Sequence, residues 1–229
     1  MLTLEDLNIA QGDFTLSADL TVATGARVAV IGPSGAGKST FLAALAGFLN
    51  PASGHIRWDD TDMTGQEPGK RPLSIIFQDN NLFPHLTAAE NVGLGLRSSL
   101  RLTAQEQSQV NQSLSRVGLD GFGTRKPAML SGGQQSRVAL ARALLRARPL
   151  MLLDEPFAAL GPGLKAEMLD LVTELADETG ATVLMVTHDP QDALRLNGQT
   201  ILVADGIAHP PQDTQALFAK PPEALRAYL

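Results

Sequence analysis

Cysteine is absent from the 229 residues. That excludes disulfides, Cys-ligated zinc, haem thioether attachment and thiol catalysis, and it fits a reducing compartment. Long apolar runs are missing as well, none approaching the roughly 20 residues needed to cross a bilayer. The opening MLTLEDL carries neither a basic n-region nor a signal-like apolar stretch. The expectation is a soluble cytoplasmic protein, peripheral if it serves a membrane. Positive charge is scarce, 18 Lys and Arg against 24 Asp and Glu, for a net charge of −6. Such a surface does not by itself attract DNA or anionic lipid, although local basic patches stay open. Internal repeats and low-complexity segments are also lacking. What is present suits folding: 44% apolar and 18% charged residues can bury a core.

The chain alternates between apolar strands and helices. LTLEDLNIA and FTLSADLTV, broken at Gln11-Gly12-Asp13, read as an antiparallel hairpin. RVAVIG (27–32) is a strand running into a Gly-rich loop, and STFLAALAGFL has helical spacing through Phe41, Leu42, Leu45 and Leu49. SGHIRWDDTDM is a strand with a turn at Asp59-Asp60, and LSIIFQ (73–78) is another strand. Residues 79 to about 130 shift towards Gln, Ser, Asn and Thr, with helical stretches TAAENVGLGL and AQEQSQVNQSLSRVG, as an inserted lobe would. SRVALARALLRA, the strand PLMLLD (149–154), a helix ending at Gly180, the strand TVLMVTH (182–188) and a hairpin around Asp205-Gly206 follow. TQALFA and PEALRAYL read as short closing helices. This alternation predicts an α/β fold with a parallel sheet covered on both faces.

GPSGAGKST (32–40) satisfies G-x-x-x-x-G-K-[ST] between a strand and a helix. Gly32, Gly35 and Gly37 let the backbone turn its N–H groups onto phosphate oxygens. The following helix adds its positive end. Lys38 supplies charge to the β and γ phosphates, Ser39 a hydroxyl to Mg²⁺, and Thr40 a second phosphate contact. The whole loop, Gly32, Pro33, Ser34, Gly35, Ala36, Gly37, Lys38, Ser39 and Thr40, is the expected nucleotide site. A plain strand-to-helix turn is the alternative. Asp154 ends an apolar strand, where a metal-holding carboxylate belongs, and Glu155 beside it can polarise an attacking water. A pair of capping acids at a strand end is the bland reading. LSGGQ (130–134) opens a helix with Ser131, Gly132, Gly133 and Gln134, a second anion-binding end. One small domain rarely needs two such ends for one nucleotide, so the second is expected to serve another copy's. An N-cap Ser followed by packing glycines is the alternative.

In this order, GPSGAGKST, FQ at 77–78, LSGGQ, LMLLDEP and the histidine of VTHD resemble the ATPase subunits of ABC transporters, over essentially the whole chain. The resemblance implies one domain, 1–229: a P-loop NTPase core with an antiparallel β subdomain (1–78 and 146–229) and an inserted α-helical subdomain (79–145) bearing the signature motif. It implies a head-to-tail homodimer sandwiching two ATP, each site joining one glycine loop to the other chain's Ser131, Gly132, Gly133 and Gln134. It makes Gln78 the Q-loop glutamine touching Mg²⁺, Glu155 the catalytic glutamate and His188 the switch histidine. Mg²⁺ would then be shared by Ser39, Gln78 and Asp154. Outside the family pattern, Gln78 reads as a surface residue and His188 as a structural one. His55, His85 and His209 are assigned to surface or packing.

The stretches LSIIFQDNNLFPHLTAAENVGLGL, AGFLNPASG and VALARALLRARPLMLLDEPFAAL are similar to the ATPase subunits of bacterial thiamine importers. Importers of iron, sulfate and polyamines share parts of them. The implied partners are a transmembrane permease and an external solute-binding protein, on the cytoplasmic face of the inner membrane, with no nucleic acid. An importer of another solute or an exporter is the alternative. A non-transport relative is more remote, because no sustained heptads fill the span from Lys38 to Leu130 and there is one cassette. Two positions depart from the family pattern. Gln11 stands where an aromatic ring usually stacks on adenine, and Phe14 reads as a core residue rather than its substitute. Gly161 stands where the loop Ala158-Ala159-Leu160-Gly161 usually ends in Asp. A smaller change is Ser136, after the signature motif.

Overall fold

The computed structural model describes residues 1–226. Alternating inward apolar residues build Leu2–Gln11 (β1) and Phe14–Val22 (β2) into the expected hairpin, with Gln11 opposite Phe14 at its tip. Arg27–Ile31 (β3) leads through the glycine loop into Lys38–Ala46 (α1). The helix stops short of Leu49: Gly47 takes φ 86°, a left-handed cap whose N–H returns to the Ala43 and Ala44 carbonyls. Ser53–Trp58 (β4) and Thr61–Asp62 (β5) form a second hairpin beside β1. Leu73–Ile76 (β6) ends two residues before Gln78. Ala88–Gly93 (α2), Ala104–Arg116 (α3) and Gly132–Leu145 (α4) share a core of Val92, Val110, Leu114 and Val138. Each starts on a capping box, Thr87 with Glu90, Thr103 with Glu106 and Ser131 with Gln134.

Leu150–Asp154 (β7), Pro162–Thr179 (α5), Thr182–Val186 (β8), Pro190–Leu196 (α6) and Gln199–Ala204 (β9) follow. Helix α5 closes at Gly180, φ 67°, as its sequence suggests. Ile207–Ala208 (β10) turns back on β9, and Gln212–Asp213 (β11), Thr214–Ala219 (α7) and Glu223–Arg226 (α8) complete the described chain. Of the last expected helix, residues 227–229 lie outside the described residues. The sequence pattern does not reveal α6 or β11, whose few residues are too short for periodicity.

Strand order is β5-β4-β1-β2-β10-β9-β3-β8-β7-β6, with β11 on β9. Strands β9, β3, β8, β7 and β6 are mutually parallel, and β10 bridges them to the antiparallel lobe by pairing with both β9 and β2. The parallel strands are apolar on both faces because both are covered. Val28, Val30, Leu152 and Val186 pack with Phe41, Leu42 and Leu45 of α1. Ala29, Ile31, Leu153 and Met185 pack with Met168, Leu169 and Val172 of α5. The loops after β3, β7 and β8 therefore emerge together at one sheet end, where parallel α/β sheets bind ligands.

Candidate active site

The glycine loop is shaped by close approach. A Cβ on Gly32 would stand 2.0 Å from the Val203 carbonyl oxygen of β9, and one on Gly37 2.2 Å from Cζ of Phe14. Gly37, at φ 97°, is the N-cap of α1. Lys38 is 8% exposed, and its Nζ donates to the carbonyls of Gly32 (2.7 Å) and Pro33 (2.9 Å). Burial lowers the Lys38 pKa, opposed by the charges of Glu155 and Asp154. Ser39 Oγ donates to Asp154 Oδ1 at 3.0 Å. Burial raises the Asp154 carboxyl, against the Ser39 hydrogen bond; the charge of Glu155 raises it further, and that of Lys38 opposes. A cation at this pair would offset that desolvation.

Glu155 leaves β7 at φ 44°, a left-handed angle rare for a residue with a side chain. Its N–H donates to the Val186 carbonyl at 3.1 Å, and its Oε2 lies 3.0 Å from His188 Nδ1. The turn thus brings the ends of β7 and β8 together. A cavity of about 410 Å³ lies over the loop, lined by Gln11, Phe14, Ser34, Gly35, Gly37, Lys38, Ser39, Thr40 and Glu155.

The expected residues therefore divide. Lys38, Ser39, Thr40, Asp154, Glu155 and His188 converge, with Gly32, Pro33 and Ala36 supplying loop backbone. Gln78 is exposed and, like Ser131, Gly132, Gly133 and Gln134, does not line the cavity among the described residues. Ser131 caps α4, its Oγ accepting from Gln134 N at 3.3 Å while Gln134 Oε1 accepts from Ser131 N at 3.0 Å. Gly133 is buried: a Cβ there would stand 2.3 Å from Leu164 of α5. Both alternatives for Ser131, helix cap and anion site, use these same atoms.

Three features escape the sequence reading. Phe14, read as a core residue, is half-buried: it packs on the core and also forms part of the cavity wall with Gln11. Arg142 of α4 donates to the carbonyls of Asn80 and Asn81, at 2.9 Å each, just after Gln78. Both asparagines have positive φ, 61° and 45°, and Asn-Asn is the available signal, since Asn tolerates that region. Lys165 of α5 lies 2.8 Å from both Asp189 and Asp192, the residues flanking the start of α6. His55 pairs with Asp62 at the surface, and His85 packs edge-on to Phe83.

The ABC transporter family profile matches residues 16–158. The chain is 65% identical over 229 residues to the thiamine import ATP-binding protein ThiQ of Cereibacter sphaeroides, covering 100% of this chain and 99% of that one. It is 56% identical to the protein of that name from Ruegeria sp., over 100% and 99% of the two chains. Among solved structures it resembles the dimeric post-hydrolysis state of the ATP-binding cassette MJ0796 bound to ADP and Pi, at 31% identity and TM-score 0.80, over 93% and 99% of the chains. It also resembles cbiO1 of Clostridium perfringens, part of the transporter complex cbiONQ, at 29% identity and TM-score 0.85, over 96% and 90%. With its glycine loop and acidic strand end in one cavity and the family profile spanning most of the chain, this protein belongs to the ABC transporter family.

Proposed function

We propose that the chain is the ATP-hydrolysing subunit of an importer that carries thiamine through a membrane permease. The observation that carries the ATPase reading is one cavity lined by Lys38, Ser39 and Glu155, with Asp154 hydrogen-bonded to Ser39 and His188 to Glu155. Water attacks the γ-phosphorus in line, the bond to the bridging oxygen breaks, and ADP leaves with that oxygen. Glu155 accepts the proton of the water; Lys38 and His188 stabilise charge on the transferring group. Ser39 and Asp154 would hold Mg²⁺ with the hydroxyl and carboxylate oxygens it favours, and Gln78, exposed outside the cavity in this conformation, is the further ligand proposed. Mg²⁺ there would neutralise charge between the β and γ phosphates.

In this reading the unit is a single cassette with core and β lobe 1–78 and 146–229 and helical lobe 79–145, working as a homodimer in which each signature serine meets the partner's ATP. No described helix is long and apolar enough to cross a membrane, which is compatible with a peripheral place on the cytoplasmic face of the inner membrane. A separate cavity of about 600 Å³ between β6 and α4 exposes Phe48 and Phe83 beside Arg142. Exposed aromatics in a concavity suit a partner, and we assign this surface to the permease. An external solute-binding protein completes the system. Full-length identity to thiamine import subunits supports the solute. Reconstitution of the complex in vesicles tests it: external thiamine with its binding protein should raise ATP turnover and accumulate inside. Stimulation by iron, sulfate or polyamine instead of thiamine would overturn the solute.

A further inference from the structure

The first turns of α5 and α6 are joined by one ammonium group. Lys165 Nζ sits 2.8 Å from Asp189 Oδ2 and 2.8 Å from Asp192 Oδ1. Asp192 is 6% exposed, and its other oxygen accepts the Thr187 hydroxyl. The same hydroxyl accepts the Asp189 N–H at 3.0 Å, and Asp189 Oδ1 caps α6 by accepting from Gln191 N. Thr187 and Asp189 are the chain neighbours of His188, so both sides of that turn are held by this network, beside the Thr187 N–H that donates to the Val30 carbonyl at 3.2 Å. His188 itself makes its side-chain contact with Glu155.

We propose that Lys165 is a positioning residue that holds the Thr187–His188–Asp189 turn and so sets the His188 imidazole against Glu155. An exposed ion pair would contribute little. Here Asp192 is buried, and removing its cation leaves an uncompensated carboxylate that draws the turn out of place. An ammonium has three donors, and two of them span both carboxylates. The position of Lys165 on α5 gives the link a direction. Its backbone N–H donates to the Gly161 carbonyl at 2.9 Å, so it rides on the loop 158–161. Its neighbour Leu164 lies under Gly133 of the LSGGQ segment. One helical turn therefore touches the signature glycine on one side and fixes the histidine loop on the other.

The catalytic consequence rests on the roles given above to His188 and Glu155; the positioning does not. The chain has 4 histidines, so imidazole NMR signals of the full-length protein are few, and His188→Ala assigns that of His188. In Lys165→Met the His188 signal should move or broaden while those of His55, His85 and His209 stay. ATP turnover should fall about tenfold, with nucleotide affinity within twofold of wild type. Lys165→Arg should recover most of the turnover, because a guanidinium also reaches both carboxylates. A His188 signal unchanged in Lys165→Met, or turnover unchanged while His188→Ala is silent, overturns the inference. So does a loss that Lys165→Arg does not relieve. If His188→Ala itself turns over ATP like wild type, the role assigned to His188 is what fails, and the NMR signal still decides whether Lys165 positions it.

Discussion

Glu155 holds a left-handed backbone angle, and that angle turns its carboxylate from the end of β7 towards His188. Such strain costs about 1–3 kcal/mol and persists where the surroundings enforce it; here the Glu155 N–H held by the Val186 carbonyl does so. The carboxylate should therefore be separable from binding. Glu155→Gln is expected to keep Mg-ATP affinity within about threefold while turnover falls about 10²–10⁴-fold, the usual contribution of a positioned base. Steady-state ATPase assays beside size exclusion with Mg-ATP check this, and a dimer trapped by ATP is the expected second result. Gln11 and Phe14 line the same cavity, and in the proposed reading they are the residues that would face the adenine ring. Aromatic stacking on a base is worth roughly 1–3 kcal/mol, and Gln11 offers no ring, so ATP and GTP should compete at similar concentrations. Gln11→Tyr should favour ATP by up to about tenfold, equivalent to about 1.4 kcal/mol. Strong ATP preference in wild type that vanishes in Phe14→Ala would make the ring of Phe14 the platform instead.

At the level of elements, the sequence is legible where burial imposes a repeating pattern. The strands β3, β7 and β8 read as apolar runs because both their faces are covered, and the residues at their ends could be read as ligands for the same reason. The pattern fails where one contact decides the geometry. Gly47 stops α1 three residues before Leu49, although the apolar spacing continues. Phe14 follows the alternation of β2 yet its ring ends over Gly37, which alternation cannot specify. Arg142 and Lys165 look like solvated helix charges until long-range folding supplies the Asn80 and Asn81 carbonyls or Asp189 and Asp192. Gly161 is another such case. Its φ of −65° is open to any residue, and a Cβ would meet nothing within 4 Å. It is the N-cap of α5 and brings no side-chain acceptor. Gly161→Asp should therefore cap α5 and stabilise the protein by a few tenths of a kcal/mol, a rise of about 1 °C in melting temperature. Calorimetry checks it; a lowered melting temperature would mean that the loop conformation depends on glycine. In the assembled complex the added carboxylate should also raise ATPase rate or cooperativity, and an unchanged rate and Hill coefficient would mean the loop acts through its main chain.

On the scale of the whole molecule, the glycine loop and the N-terminus of α4 do not share a cavity among the described residues. Lys38 lies over the start of α1 and Ser131 caps α4, whose first turn rests on Leu164 rather than on the glycine loop. In the proposed reading Ser131 serves the nucleotide of a second copy in a head-to-tail pair, and this makes a sharp test by mixing. Ser131→Arg should abolish turnover while leaving nucleotide affinity of the isolated chain within about twofold, because in the proposed reading Ser131 acts on the other copy's ATP. Lys38→Ala should abolish turnover by weakening the chain's own site. A heterodimer of the two contains one composite site spoiled twice and one with both Lys38 and Ser131 intact. Mixing the inactive variants should therefore restore activity, up to about half of the wild-type rate per dimer if the sites act independently. Co-purification on two different tags shows that heterodimers form, and the ATPase rate of that fraction is the readout. A fraction that contains heterodimers and stays silent would exclude independent shared sites, and normal turnover by Ser131→Arg alone would remove the signature serine from the reaction.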